Sequence, residues 1–170
     1  MRTRRDFLTA GAAGLTGMLL PSAAFPQSSS PNDQIQIALI GCGGMGQNDA
    51  KSSVATGLTK LVAACDCYDG RLQHMKEIYG RDIFTTKRYE EVLERKDIDA
   101  VLIGAPDHWH QKITVDALNA GKHVYCEKPM VQHVEDGYPV VEAQKRSNKI
   151  LQVGSQRVSS VVYKKAQELY

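Results

Sequence analysis

From Ile35 onward the chain alternates short apolar runs with stretches of helical period. The runs near 35–40, 60–65, 100–103, 123–126 and 150–153 are rich in Ile, Val, Leu and Ala and predict strands, with a weaker one near 83–85. Between them, apolar positions recur at helical spacing near 47–56, 69–79, 89–95, 111–120 and 134–147, and Asn119-Ala120-Gly121 supplies a helix stop. Near-continuous apolar strands separated by helices imply an α/β fold, a parallel sheet covered on both faces. A further helix is expected over Ser159–Tyr170.

The first strand, Ile35-Gln36-Ile37-Ala38-Leu39-Ile40, runs directly into Gly41-Cys42-Gly43-Gly44-Met45-Gly46. This is G-x-G-x-x-G at a strand-to-helix turn, where the pattern has mechanical meaning. Gly41 permits the tight turn, Gly43 lets the backbone approach a pyrophosphate, and Gly46 lets the helix pack closely on the strand. The amino end of the helix that follows Gly44-Met45-Gly46 offers N–H groups and a positive dipole to phosphate. Asp66 ends the second strand 20 residues after Gly46, where a carboxylate accepts hydrogen bonds from an adenosine ribose. The same carboxylate repels a 2′-phosphate, so NAD is expected in preference to NADP, although Arg71 is near enough in sequence to weaken that preference. The fold class expected is therefore a Rossmann-type doubly wound parallel sheet.

Composition changes this picture only at the amino end. The formal net charge is +2, but removing Arg2, Arg4, Arg5 and Asp6 leaves 18 basic and 18 acidic residues. A neutral balance gives no electrostatic case for nucleic acid or an anionic membrane surface. Residues 1–24 pair a basic start with an apolar run from Phe7 to Leu20 that Gly11, Gly14 and Gly17 dilute, too short for a stable membrane anchor. Thr3-Arg4-Arg5-Asp6-Phe7-Leu8 resembles the twin-arginine (Tat) export motif, and Ser22-Ala23-Ala24 provides small residues for signal cleavage. Export to the periplasm through the Tat machinery is expected, with residues 25–34 as a Ser/Pro-rich linker. Cys42, Cys65, Cys67 and Cys126 lack zinc-site spacing and read as small buried hydrophobes, with Cys65 and Cys67 sharing one face of a strand. His108 and His110 form H-x-H without a well-spaced third ligand, so no metal is expected. His74 reads as solvated, His123 and His133 as structural, and Tyr125 and Tyr138 as packing aromatics.

Two further segments lie at carboxyl ends of strands, where open α/β sheets bind ligands. They are Gly104-Ala105-Pro106-Asp107-His108-Trp109-His110 and Cys126-Glu127-Lys128-Pro129-Met130. A lysine there can hold a substrate hydroxyl and help take its proton. Ala120-Gly121-Lys122-His123-Val124-Tyr125-Cys126-Glu127-Lys128-Pro129 resembles the A-G-K-H-V-x-x-E-K-P signature of the Gfo/Idh/MocA oxidoreductases. Pro106-Asp107-His108-Trp109-His110 is similar to that family's P-x-x-W-H or P-x-x-H loop.

The resemblance, over roughly residues 35–157, implies roles for particular residues. Gly41, Gly43, Gly44 and Gly46 match the pyrophosphate turn, and Asp66 the ribose carboxylate. Pro106 and His110 match a loop near the nicotinamide ribose, which Trp109 walls. Glu127 matches a cofactor-side acid, Lys128 the catalytic lysine that contacts cofactor and substrate hydroxyl, and Pro129 fixes the turn. Gln156 and Arg157 lie near the entry to a second domain. The implied activity is NAD(P)-dependent hydride transfer at a CH–OH group of a sugar, polyol or glycoside. Two alternatives stay open: an NAD-dependent glycosidase using a transient oxidation, and a non-catalytic dinucleotide-binding module. The family's α+β domain with an open-faced sheet is expected to be missing here, with residues 156–170 its truncated start and 35–155 the dinucleotide domain. A homo-oligomer formed through that missing domain is the remaining partner to consider.

Overall fold

The computed structural model of the chain describes residues 34–155 and 160–169. The export signal, nearly all of the linker, and Gln156 and Arg157 lie outside those residues. Among the described residues no helix is long and apolar enough to cross a membrane.

The order of elements is β1 (Ile35–Ile40), α1 (Gly44–Ala55), β2 (Thr59–Cys65), α2 (Asp69–Tyr79), β3 (Phe84–Thr86), α3 (Tyr89–Glu94), β4 (Ala100–Ile103), α4 (His110–Asn119), β5 (His123–Glu127), α5 (Gly137–Ser147), β6 (Leu151–Gly154) and α6 (Val161–Glu168). Short 3₁₀ turns precede α4 (Asp107–Trp109) and α5 (Val134–Asp136). The six strands run in the order β3-β2-β1-β4-β5-β6, and every neighbouring pair is parallel. That is the doubly wound order of dinucleotide-binding folds, with its switch point between β1 and β4.

Alternation along β1 explains why both faces need covering. Ile37 and Leu39 point into one core with Leu61, Ala64, Leu102, Ala50 of α1 and Met75 of α2. Ala38 and Ile40 point into the other with Val101, Ile103, Val124 and residues of α3, α4 and α5, among them Val92, Ile113, Leu118 and Ala143. A strand buried on both sides has no polar face to show, hence the apolar run Ile37–Ile40 once the strand enters the core.

Four expectations change in detail. Helix α1 starts at Gly44, three residues early, so the last glycine of the fingerprint belongs to its first turn. The helix expected over 134–147 is a 3₁₀ turn followed by α5, with Asn148 closing it at φ 53°. Strand β2 stops at Cys65, so Cys67 is off the strand and exposed, whereas Cys42, Cys65 and Cys126 are buried. Tyr138 is 70% exposed and is no packing aromatic.

Half of the A-G-K-H-V segment is architectural. Gly121 turns the chain out of α4 at φ 77°. Lys122 is buried at the start of β5, where its ammonium donates to the carbonyls of Ile98 (2.9 Å) and Arg95 (2.5 Å). Burial holds its pKa below the usual lysine range. His123 Nδ1 accepts from the backbone N–H of Ile150 at 3.0 Å, tying β6 to β5. His74 is half exposed beside Glu77, and His133 stands before the 3₁₀ turn.

Candidate functional site

The β1–α1 turn and the β4–α4 loop meet at the switch point. Gly41 adopts φ 93°, and a side chain there would collide with the backbone of Gly104 and Ala105. A side chain at Gly46 would strike the Gly41 carbonyl, and one at Gly104 would lie 2.9 Å from Gly46 Cα. These glycines are thus required by backbone-on-backbone packing between strand ends and helix.

Gly43 and Gly44 differ. A Cβ on Gly44 would meet nothing within 4 Å, and one on Gly43 only the Arg71 guanidinium at 4.0 Å. The space beside them is open. Gly43 stands at the amino end of α1 with no side-chain cap, and the Gln47 N–H is bonded back to the Gly43 carbonyl at 2.9 Å. The amides of Gly44, Met45 and Gly46 form the first turn of α1, a helix end that favours an anion. The cradle fits a dinucleotide pyrophosphate.

At one flank of this cradle Asp66, just after β2, is buried to 7% exposure. Its Oδ2 accepts from the Cys42 N–H (2.8 Å) and from Arg71 Nη1 (3.3 Å), and its Oδ1 from the Tyr68 N–H (2.9 Å). Asp66 therefore braces the glycine turn. Arg71, half exposed, bridges Asp66 and the space above Gly43. Cys42 and Cys65 lie beneath, and burial pushes both thiols up to about 12, which keeps them protonated and unreactive.

The opposite flank is built from the β4–α4 loop and the end of β5. Pro106, Asp107, His108 and Trp109 are exposed at the rim, with Trp109 tilted against Tyr89. His110 is different: it is 2% exposed, Nδ1 lies 2.6 Å from the Pro129 carbonyl, and Nε2 lies 2.8 Å from that of Ala105. A neutral imidazole has one N–H, yet two acceptors face this ring. Burial opposes the charged form, but hydrogen bonds to the Cys126 side chain and to the Pro129 and Ala105 carbonyls outweigh it and lift the pKa to about 9. The ring is an imidazolium that fastens the Glu127-Lys128-Pro129 turn to the β4–α4 loop. With both nitrogens so occupied, its part in the site is positioning.

Glu127 ends β5 and is 5% exposed; its Oε1 accepts from the Tyr125 hydroxyl (3.3 Å) and its Oε2 from the Lys128 N–H (3.3 Å). Lys128 follows, exposed at the mouth of the cleft, and the Lys128–Pro129 peptide is cis. Sequence reasoning missed one participant, Asp49 of α1, whose carboxyl hydrogen-bonds that of Glu127. The signal was available: Asp49 lies three residues after Gly46 and beside Ala50, both buried on the sheet-facing side of α1. Tyr125, read as a packing aromatic, also belongs to this cluster through its hydroxyl. No group of three or more metal-ligating side chains is present among the described residues.

Residues 35–155 match the family model GFO_IDH_MocA, described as the oxidoreductase family with an NAD-binding Rossmann fold. The chain belongs to this family. It is 31% identical over 126 residues to an inositol 2-dehydrogenase of Salmonella typhimurium, covering 72% of this chain and 37% of that protein. It is 26% identical over 176 residues to an alpha-N-acetylgalactosaminidase of Shewanella oneidensis, covering 86% of this chain and 38% of that protein. Among solved structures, myo-inositol 2-dehydrogenase from Lactobacillus plantarum superposes with a TM-score of 0.74 at 30% identity, covering 80% of this chain and 40% of that one. The WlbA dehydrogenase from Bordetella pertussis, solved in complex with NADH and UDP-GlcNAcA, gives 0.74 at 27% identity over 81% and 40%. The chain spans well under half the length of these relatives. The Gfo/Idh/MocA domain described here is an NAD-binding Rossmann domain of an oxidoreductase family, as the glycine turn and Asp66 indicated.

Proposed function

We propose that this chain is the dinucleotide-holding part of an exported NAD-dependent oxidoreductase acting on a hydroxyl-bearing carbon of a sugar, polyol or glycoside. The observation that carries this reading is the position of Lys128. It follows the end of β5, at the same edge of the sheet as the glycine turn and with its side chain exposed. Bound nicotinamide would supply the hydride acceptor or donor. Lys128 holds the substrate hydroxyl and relays its proton as the carbon is oxidised, Glu127 faces the cofactor, and the amides of Gly43, Gly44, Met45 and Gly46 take the pyrophosphate. Pro106 shapes the rim, and His110 keeps Pro129, and with it Lys128, in place. Asp66 favours NAD over NADP.

The kinship to inositol dehydrogenases supports a polyol or sugar substrate. The likeness to a glycosidase over 86% of the chain supports a second reading, in which the same redox step serves net glycoside hydrolysis. The Thr3-Arg4-Arg5-Asp6-Phe7-Leu8 segment supports export by the Tat route, and changing Arg4 and Arg5 to lysine should retain the precursor in the cytoplasm.

The test of activity is product analysis of the protein with NAD and a panel of inositols, sugars and aryl glycosides. Reduced dinucleotide in proportion to substrate consumed supports the dehydrogenase, and aglycone release without net reduction the glycosidase. Lys128→Ala should cut turnover about 100-fold or more, the scale for a positioned acid or base, while NAD affinity changes far less. Near-normal turnover of that variant would overturn the mechanism.

A further inference from the structure

The mouth of the cleft carries an aromatic cluster that the reading above leaves unused. Trp109, the chain's one tryptophan, is 43% exposed in the loop that follows β4. Resemblance implied a wall of the nicotinamide ribose, but the indole is turned toward Tyr89, with ring centroids 6.5 Å apart and planes at 60°. Tyr89 opens α3, the helix that follows β3. His110, the next residue after Trp109, is bonded instead to the Pro129 carbonyl beyond β5. Successive residues of one loop thus reach in different directions.

The cluster is held in place. The Tyr89 hydroxyl donates to Asp116 Oδ2 at 2.6 Å, and the Lys112 ammonium donates to the same oxygen at 2.7 Å. Lys112 Nζ also lies 5.9 Å from the centre of the Tyr89 ring. The His108 ring stands 6.1 Å from the indole at 46°. Both neighbours are tilted, so neither stacks face to face on Trp109, and its exposure leaves a face for a flat partner.

The path of a dinucleotide says which partner that is. In the strand order β3-β2-β1-β4-β5-β6, the glycine turn follows β1 and Asp66 follows β2. A molecule running from a pyrophosphate on the turn through a ribose on Asp66 heads for the end of β3, and its nicotinamide heads the other way, for β4 and β5. The Asp66 N–H donates to the Thr86 carbonyl at 3.2 Å, so the ribose acid touches the last residue of β3. The Arg88 N–H donates back to the Thr86 hydroxyl at 3.1 Å, tightening the turn that leads into Tyr89.

We propose that Trp109, backed by Tyr89, is the platform on which the adenine ring of the dinucleotide stacks. The proposal rests on the dinucleotide reading for the course of the ligand. Adenine is flat and uncharged at neutral pH, and a π-face holds such a ring without an ionic partner. The rival aromatic is Tyr68, two residues past Asp66. It is exposed, but a Cβ on Gly70 would lie 2.8 Å from its ring, so Tyr68 is folded onto the first turn of α2.

Indole emission from the unaltered 170-residue chain reports the contact without a variant. ADP-ribose, which has the adenosine half and no nicotinamide, should quench Trp109 saturably over the concentrations at which calorimetry shows it to bind. Trp109→Ala should weaken NAD and ADP-ribose by the same factor, about 5-fold or more, the lower end for losing one base–aromatic stack. Tyr68→Ala should change either by less than about twofold, well short of such a loss. Calorimetric binding of ADP-ribose that leaves the emission unchanged would overturn the platform, as would NAD binding without ADP-ribose binding. So would a Trp109→Ala loss confined to NAD, which would put the indole at the nicotinamide end, or a loss that appears with Tyr68→Ala and not with Trp109→Ala. If neither NAD nor ADP-ribose bound, the dinucleotide reading would fall and the platform with it, an outcome distinct from each of the others.

Discussion

The two flanks of the cleft are made of different material. On the adenosine side the backbone does most of the work: Gly41, Gly46 and Gly104 let three chain segments touch, and Asp66 pins the turn through the Cys42 N–H. On the nicotinamide side buried side chains do it. His110 spans two carbonyls, and Asp49, Tyr125 and Glu127 form one hydrogen-bonded cluster. A backbone site tolerates few residues at fixed positions and should fail abruptly when one is enlarged. A side-chain site should fail by degrees, and with pH.

The sharpest way to break that contrast is Gly46→Val. Its Cβ would run into the Gly41 carbonyl, with Leu39 Cδ1 at 3.1 Å behind it. The Gly41 carbonyl is backbone and cannot swing aside, so the helix must move off the strand. The expected destabilisation is about 3 kcal/mol or more, at the upper end for overpacking, with loss of dinucleotide binding. Thermal unfolding followed by circular dichroism checks it. A melting temperature within a few degrees of the original would mean that the helix–strand contact is slack.

This difference also decides what the sequence disclosed. Glycine requirements are written in the residues themselves, and with a strand before them and an acid at the end of the next strand they pointed to the fold. The Glu127-Lys128-Pro129 turn was legible only as a resemblance, because no local rule gives those three residues meaning. His110 was placed at the cofactor by that resemblance, whereas both its nitrogens are spent on protein carbonyls. Asp49 was passed over, since a lone acid in a polar helix reads as solvated and only its spacing from Gly46 and Ala50 hinted otherwise. What connects it to Glu127, 78 residues away in the chain, is the crossover that lays α1 over β1 and β4, the strand next to β5. Lys122 teaches the same lesson in reverse: a lysine inside a functional signature serves the carbonyls of Arg95 and Ile98.

A graded loss is expected on the nicotinamide side from His110→Ala. It takes the His110 donors from the part-buried Pro129 and Ala105 carbonyls, a cost of about 1–3 kcal/mol in all. The pH dependence separates this from simple cavity formation. The folded-state pKa, about 9, lies above the unfolded value of about 6.5. The imidazolium therefore stabilises the fold fully below pH 6.5, and its contribution is lost as pH rises toward and through 9. Denaturant unfolding of the unaltered chain at pH 6 and pH 9 should show that decline, and His110→Ala should remove the part His110 contributes. An identical decline in the variant would assign the pH dependence elsewhere.

The smallest effect expected is on the adenosine side, and it tests whether that flank is backbone alone. Asp66→Ala removes the acceptor for the Cys42 and Tyr68 amides and the ribose partner together, so NAD binding should weaken by about 1–3 kcal/mol, the range for a hydrogen bond to a charged group. It also removes the charge that opposes a 2′-phosphate and leaves the Arg71 guanidinium facing the hollow above Gly43. NADP affinity should fall less than NAD affinity, or rise. Arg71→Ala should act in the opposite sense, lowering NADP affinity several-fold with NAD little changed, because a guanidinium is suited to a phosphate and has no call on a ribose hydroxyl. Titrating both dinucleotides against both variants gives four constants. If Asp66→Ala weakens NAD and NADP equally, the carboxylate serves only to brace the turn, and cofactor choice on this flank rests with the backbone after all.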